Sequence, residues 1–300
     1  MATRPEAQQN PARWLIVAIP YLWLAFFFLA PFLIVLKISL SDLAIAMPPY
    51  TPNFEGLSRI GEFLSRLDFE NYVFLGTDSL YISSYLNSLW IGLISTLLLL
   101  LIGYPMALAM ARAPARLRPT LLMLVILPFW TSFLIRVYAW IGILKPEGLL
   151  TVFLQAIGVL GPDEHVNIFR TDTAVLIGMV YSYLPFMILP LYASLEKMDG
   201  SLLEAASDLG CPPWKAFWKI TFPLSLPGVI AGSMICFIPI TGEFVIPDLL
   251  GGADTLMIGK TLWTEFQGNR DWPLASAVAV VLLLFLVVPI MIFQNQQQKA

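Results

Sequence analysis

The residues of this chain that could do chemistry are few, and they fall in two places. The first is a carboxylate, Glu243, which follows Gly242 and abuts a long uncharged apolar run. An acid at membrane depth costs about 2.5–3.5 kcal/mol on insertion scales, so it reads as functional by default. Two other readings stand beside that one: Glu243 in headgroup water, or paired with Arg136. Carboxylates and aromatic faces hold organic cations by ionic and cation–π contacts. Trp130, Tyr138, Tyr181 and Tyr183 could therefore line a path with Glu243, although each also suits core packing or a membrane-interface belt. The second place is a polar stretch between apolar runs, with Glu204-Ala205-Ala206, then Gly210, Ile220 and Pro223.

Several chemistries are excluded by spacing. Gly252 to Thr261 invites a phosphate-loop reading because it ends Gly259-Lys260-Thr261. That loop has four residues between its glycines, which would put the first at 254, and that position is Asp254. His165 is the only histidine and sits beside Asp163 and Glu164, as a solvated loop residue would. Cys211 and Cys236 have no metal-type spacing and read as small apolar fillers. No nucleophile elbow or Ser/His/Asp set is present. The chain is expected to be no enzyme, and to hold no metal and no cofactor of its own.

The elements that must position these residues follow from composition. Hydrophobic residues make up 58% of the chain, charged residues 12%, and the mean hydropathy is +0.77. An ordinary soluble domain carries about 25% charge, so this balance suits a polytopic membrane protein. Spans of about 20 apolar residues cross a bilayer as helices, and unpaired backbone is not tolerated in lipid. Barrel strands would be shorter and would alternate. The pattern predicts an all-α membrane protein of six spans, near 14–36, 85–110, 120–144, 173–195, 224–241 and 273–293. The first run is too long for a signal-peptide core of about 7–15 residues, so it reads as a retained anchor.

Lys and Arg bias sets the orientation. With the N-terminus inside, segments 1–13, 112–118, 196–222 and 294–300 are cytoplasmic, and 37–79, 136–172 and 243–271 lie outside. The cytoplasmic segments then carry about twice the Lys/Arg density of the outer ones, anchored by Arg112, Arg116 and Arg118. Both termini are expected inside, in one transmembrane domain covering 1–300. The first outer segment opens on a proline-rich turn, Met47 to Pro52. An amphipathic stretch follows, with Leu57, Ile60, Phe63, Leu64 and Leu67 on one face. It reads as a helix on the membrane surface or as part of an outer docking platform.

Within 196–222, Leu202, Ala206 and Leu209 recur at helical spacing and predict one apolar face. Gly210 suits a left-handed C-cap, and Pro212-Pro213 suits the start of a second helix. That helix would carry Trp214, Phe217 and Trp218 on one face, flanked by Lys215 and Lys219. Physics leaves two readings open: a hairpin resting on lipid, or a docking element.

The run Glu204-Ala205-Ala206-x3-Gly210-x9-Ile220-x2-Pro223 resembles the EAA loop of binding-protein-dependent ABC importer permeases. One position departs: Phe222 stands where that pattern has Leu. The resemblance implies a type I importer permease fold and a coupling loop that docks a cytoplasmic ATPase dimer, which binds the ATP and Mg. It implies that Glu204 makes the polar contact, Ala205 and Ala206 allow close approach, and Gly210 makes the turn. Three further runs are similar to the polyamine branch of the family: Leu127 to Trp140, Gly242 to Gly252, and Asn269 to Pro273. This implies import of putrescine or spermidine across a bacterial inner membrane. It also implies a second homologous permease as heterodimer partner and a periplasmic polyamine-binding protein, with no nucleic acid involved. Permeases for other small solutes share the architecture. An ion-coupled secondary transporter would want intramembrane charges and repeat symmetry, which spans two, four and six do not display.

Overall fold

A computed structural model describes residues 11–53 and 65–297. Most of the predicted amphipathic face (Leu57, Ile60, Phe63 and Leu64) lies outside the described residues. Among the described residues, four helices are long and apolar enough to cross a membrane: Val17–Ser39, Ser79–Arg112, Asp172–Glu196 and Pro213–Thr241. A bent pair, Arg118–Trp130 and Phe133–Leu144, is apolar enough for a fifth crossing if its halves form one broken span, and the shorter apolar helix Trp272–Val287 falls on the sixth predicted run. In chain order these helices fall on the six predicted runs.

Two expectations are corrected. Span three does not run straight through 120–144: its halves meet at 85°. Pro128 opens a short 3-10 turn, Leu127–Trp130, and Thr131 is extended, so the hydrogen-bond ladder breaks there. Nor is span five a separate helix opening near Leu224. The second loop helix and the span form one element from Pro213 to Thr241, bridged by a π turn at Phe217–Thr221. In that turn the N–H of Phe222 reaches back to the Phe217 carbonyl. The widened turn gives the Pro223 ring room that a regular helix denies it.

The chain divides into two compact units, Met1–Thr77 with Thr264–Phe285, and Asp78–Trp263 with Leu286–Ala300. In the first, the span-one window has none of its residues buried, so its apolar side chains need lipid or another protein around them. Within the proline-rich stretch, Tyr50–Thr51 pairs antiparallel with Asp42–Leu43 in a two-stranded hairpin. Lys37 donates to the Pro52 carbonyl and lies 4.1 Å above the Tyr50 ring. Asp271 accepts from the Leu274 N–H at 3.0 Å and so caps span six. Burial raises its carboxyl above the usual range against the lowering effect of that bond.

The second unit is built on spans two, four and five. Lipid tails are as apolar as leucine, so close packing, not water exclusion, must join them. Gly228 and Gly232 supply the approach. A Cβ on Gly228 would lie 2.5 Å from Ser194 Cβ, and one on Gly232 would lie 2.9 Å from Met187 Sδ. Met179, Met187, Leu191, Cys236 and Ile240 fill the seam, all fully buried.

Candidate functional site

The loop 196–222 is organised by local hydrogen bonds. Asp199 accepts from the Ser201 N–H at 3.0 Å, which holds its carboxyl below the usual range and starts the Ser201–Asp208 helix. That helix ends in a Schellman turn. The Gly210 N–H donates to the Ser207 carbonyl at 2.8 Å, and the Cys211 N–H to Ala206 at 2.9 Å. Gly210 sits at φ +72°, where a side chain costs about 1–2 kcal/mol. The expected apolar face of this helix is only partly packed inward: Ala206 is buried, whereas Leu202 and Leu209 are exposed. Glu204 and Ala205 are exposed as well.

Past the turn, Trp214 and Trp218 also point outward, at 64% and 59% exposure. Phe217 turns inward and meets Tyr104 of span two edge-on at 5.6 Å. Tyr104 is in turn hydrogen-bonded to Ser225 of span five at 2.8 Å. Ile220 is half-buried, and Pro223 is exposed at the start of the span. The loop thus presents Glu204, Leu209, Trp214 and Trp218 outward while its base is keyed to spans two and five. Motion of the loop would be felt there directly.

At the other end of span five, Glu243 is held on both oxygens. Tyr183 of span four donates to Oε2 at 2.6 Å. Oε1 accepts from the N–H groups of Phe244 at 3.2 Å and Val245 at 3.0 Å, which start the Val245–Leu250 helix. The structure does not pair Glu243 with Arg136. Gly242 has φ −93°, open to any residue, so its conformational freedom is not used. Oε1 is filled by its two N–H donors, whereas Oε2 keeps a spare lone pair that could accept from an ammonium group.

Of the aromatic residues suggested by sequence, only Tyr183 meets Glu243. Tyr181 packs edge-on against Trp140 at 5.3 Å. Trp130 and Tyr138 are exposed, at 73% and 57%. Sequence reasoning missed Gly259, which it met only as part of a failed phosphate loop. A Cβ there would lie 2.4 Å from the Gly242 carbonyl oxygen and 2.5 Å from that of Glu243. Gly259 therefore lets its segment lie directly against the backbone that carries the acid. Span two fixes this segment: Ser88 accepts from the Ile258 N–H at 2.7 Å, and Asn87 donates to the Leu256 carbonyl at 2.9 Å. Thr255 ties it to span four through Asp172 at 2.6 Å. Among the described residues, the carboxylates that converge closely enough for a metal ion are Asp42, Asp68 and Glu70, all exposed. Such surface acids are common without one.

A multi-span helical chain with an ordered polar loop at one end of a span and a carboxylate at the other defines a membrane transport component. Residues 100–299 match the family described as the binding-protein-dependent transport system inner membrane component, and the chain belongs to that family. It is similar to the spermidine/putrescine transport system permease protein PotB of Haemophilus influenzae, with 40% identity over 286 residues, 95% of this chain and 93% of that one. It shares its fold with a bacterial ABC transporter that imports the acidic polysaccharide alginate, at TM-score 0.70 and 18% identity over 96% of both chains. The same fold is seen, at TM-score 0.71 and 18% identity over 96% of both chains, in an alginate transporter complexed with its periplasmic protein. The chain is thus an inner-membrane permease component of an ABC importer and not an enzyme. By its family it works in a system that depends on a binding protein.

Proposed function

We propose that this permease carries putrescine and spermidine across the bacterial inner membrane. The observation that carries the reading is its 40% identity, over nearly its whole length, with a permease named for those solutes. Its companions are a second, homologous permease forming a heterodimer with it, a cytoplasmic ATPase dimer and a periplasmic polyamine-binding protein. ATP and Mg are bound by the ATPase, and this chain holds no cofactor. Both termini and the loop 196–222 face the cytoplasm, as the Lys/Arg bias requires.

In this reading the loop is the coupling element. Glu204 makes a polar contact with the ATPase, Ala205 and Ala206 admit its surface closely, and Gly210 holds the two helices at their angle. Ile220 and Pro223 pass the movement into span five through the π turn. The Glu243 carboxylate, positioned by Tyr183, takes successive ammonium groups as the solute passes. Trp130, Tyr138 and Tyr181 are candidates for other parts of the path. A pore must release what it binds, so the acid contributes only about 1–3 kcal/mol, the range of a charge-assisted hydrogen bond.

The test is uptake of labelled putrescine and spermidine in cells lacking other polyamine importers. Glu243→Gln keeps the shape and removes the charge. Uptake is expected to fall while the ATPase still copurifies. Uptake at the unmutated rate would remove Glu243 from the path, and loss of the assembled complex would mark it as structural.

A further inference from the structure

Beside the bend of span three lies a cavity of about 480 Å³ that Glu243 does not line. Arg136 enters it from the outer half of that span and is only 9% exposed. Its Nε and Nη1 are buried without a hydrogen-bond partner, and so is the Oγ of Ser182, another lining residue. The guanidinium lies 5.4 Å from the Phe129 ring centre and 5.9 Å from that of Phe133. Those rings can attract the charge but accept no N–H in the way an oxygen does. Tyr183 also lines the cavity, yet its hydroxyl is committed to Glu243. Among the described residues, no carboxylate pairs with Arg136.

A buried guanidinium without a counter-charge is strongly destabilising, and intramembrane ionisable groups are seldom idle. An ammonium group would be repelled from this cavity. We propose that the cavity is a carboxylate-binding site distinct from the cation contact at Glu243. Arg136 presents a planar set of donors that matches the two oxygens of a carboxylate. The Ser182 hydroxyl adds a third donor. Phe129, Phe133 and Phe186 form walls for an apolar body, and the volume falls within the range of about 300–1,000 Å³ usual for small-ligand sites. The carboxylate belongs either to a free small molecule or to an acidic side chain of the companion permease; the recognition chemistry is the same.

The probe is benzoate, with benzamide and benzylamine as neutral and cationic controls of the same shape. Purified full-length chain in detergent is titrated with each and its thermal unfolding midpoint followed. Benzoate is expected to raise the midpoint saturably, and the two controls are not. Arg136→Gln should abolish the response. Ser182→Ala, which keeps the charge, should weaken benzoate binding about three- to tenfold, the loss of one hydrogen bond. Repeating the titration on the assembled importer separates the sources. A retained response identifies a free carboxylate; a lost response, with weaker assembly of the Arg136→Gln chain, identifies the companion's acid. Equal shifts with benzamide, no shift with benzoate on the chain alone, or full benzoate affinity in Ser182→Ala would each overturn the assignment. The Ser182 variant decides the matter if Arg136→Gln fails to insert.

Discussion

The carboxylate of Glu243 is placed by atoms that are distant in sequence, and one of them carries no side chain at all. Gly259 lies so close to the backbone of Gly242 and Glu243 that even a methyl group would collide with both carbonyl oxygens. Backbone cannot yield as a flexible side chain does, so Gly259→Ala must push the two segments apart. Overpacking of this kind costs about 1–3 kcal/mol. The variant should reach the membrane and yet show polyamine uptake reduced at least as far as in Glu243→Gln. Normal uptake would mean that the position of the acid is not critical. The sequence made Glu243 visible, because a charge beside a long apolar run stands out. It hid Gly259, because the constraint there is a contact across 16 positions of chain and leaves no periodic trace. It also hid the state of Arg136. A charge can be read from a sequence, but the lack of a partner cannot.

At the scale of elements, the Schellman turn is the part most open to test. Gly210 needs both its positive φ and its N–H bond to Ser207. Proline supplies neither, since its φ is fixed near −65° and it has no N–H. Gly210→Pro is therefore expected to abolish uptake while ATP hydrolysis by the ATPase and membrane insertion persist. Gly210→Asn, which tolerates the left-handed region, should retain most of the transport. Equal transport by both variants would end the coupling role of the turn. This element was legible because Gly210 and Pro212-Pro213 signal it locally. The bend of span three was less so. Pro128 stands within an otherwise continuous apolar run, and the bend depends on Thr131 being extended, which no propensity fixes. The join of the second loop helix to span five was hidden for a similar reason. The apolar run opens near Leu224, whereas the π turn before it carries the helix on from Pro213.

For the whole molecule, the predicted runs found their helices because long uncharged stretches have few other fates in a membrane chain. Orientation rests on charge counting and can be checked at one exposed residue. Ser207→Cys in the loop should resist a membrane-impermeant thiol reagent added to intact cells and react once the cells are opened. Labelling from outside would reverse the topology and with it the docking role of the loop. The count of Lys and Arg carries this inference because the difference is spread over several short segments.

The outward-facing Leu209, Trp214 and Trp218, at 87%, 64% and 59% exposure, bear on the life of the protein before it ever transports anything. If an ATPase normally covers these side chains, a newly made permease without one displays a sticky patch to the cytoplasm. Exposed apolar patches of this kind mark interaction sites and aggregation hazards alike, and cellular proteases triage chains that display them. The abundance of the permease should then follow that of its ATPase. In a strain deleted for the ATPase, pulse-chase labelling should give the chain a half-life shorter by several-fold. Trp214→Ser with Trp218→Ser should lengthen it again, although that chain would no longer dock. An unchanged half-life in the deletion strain would mean that the patch is already covered by lipid or by another protein. A surface built for coupling would in this way also count subunits, leaving few permeases in the membrane without an engine.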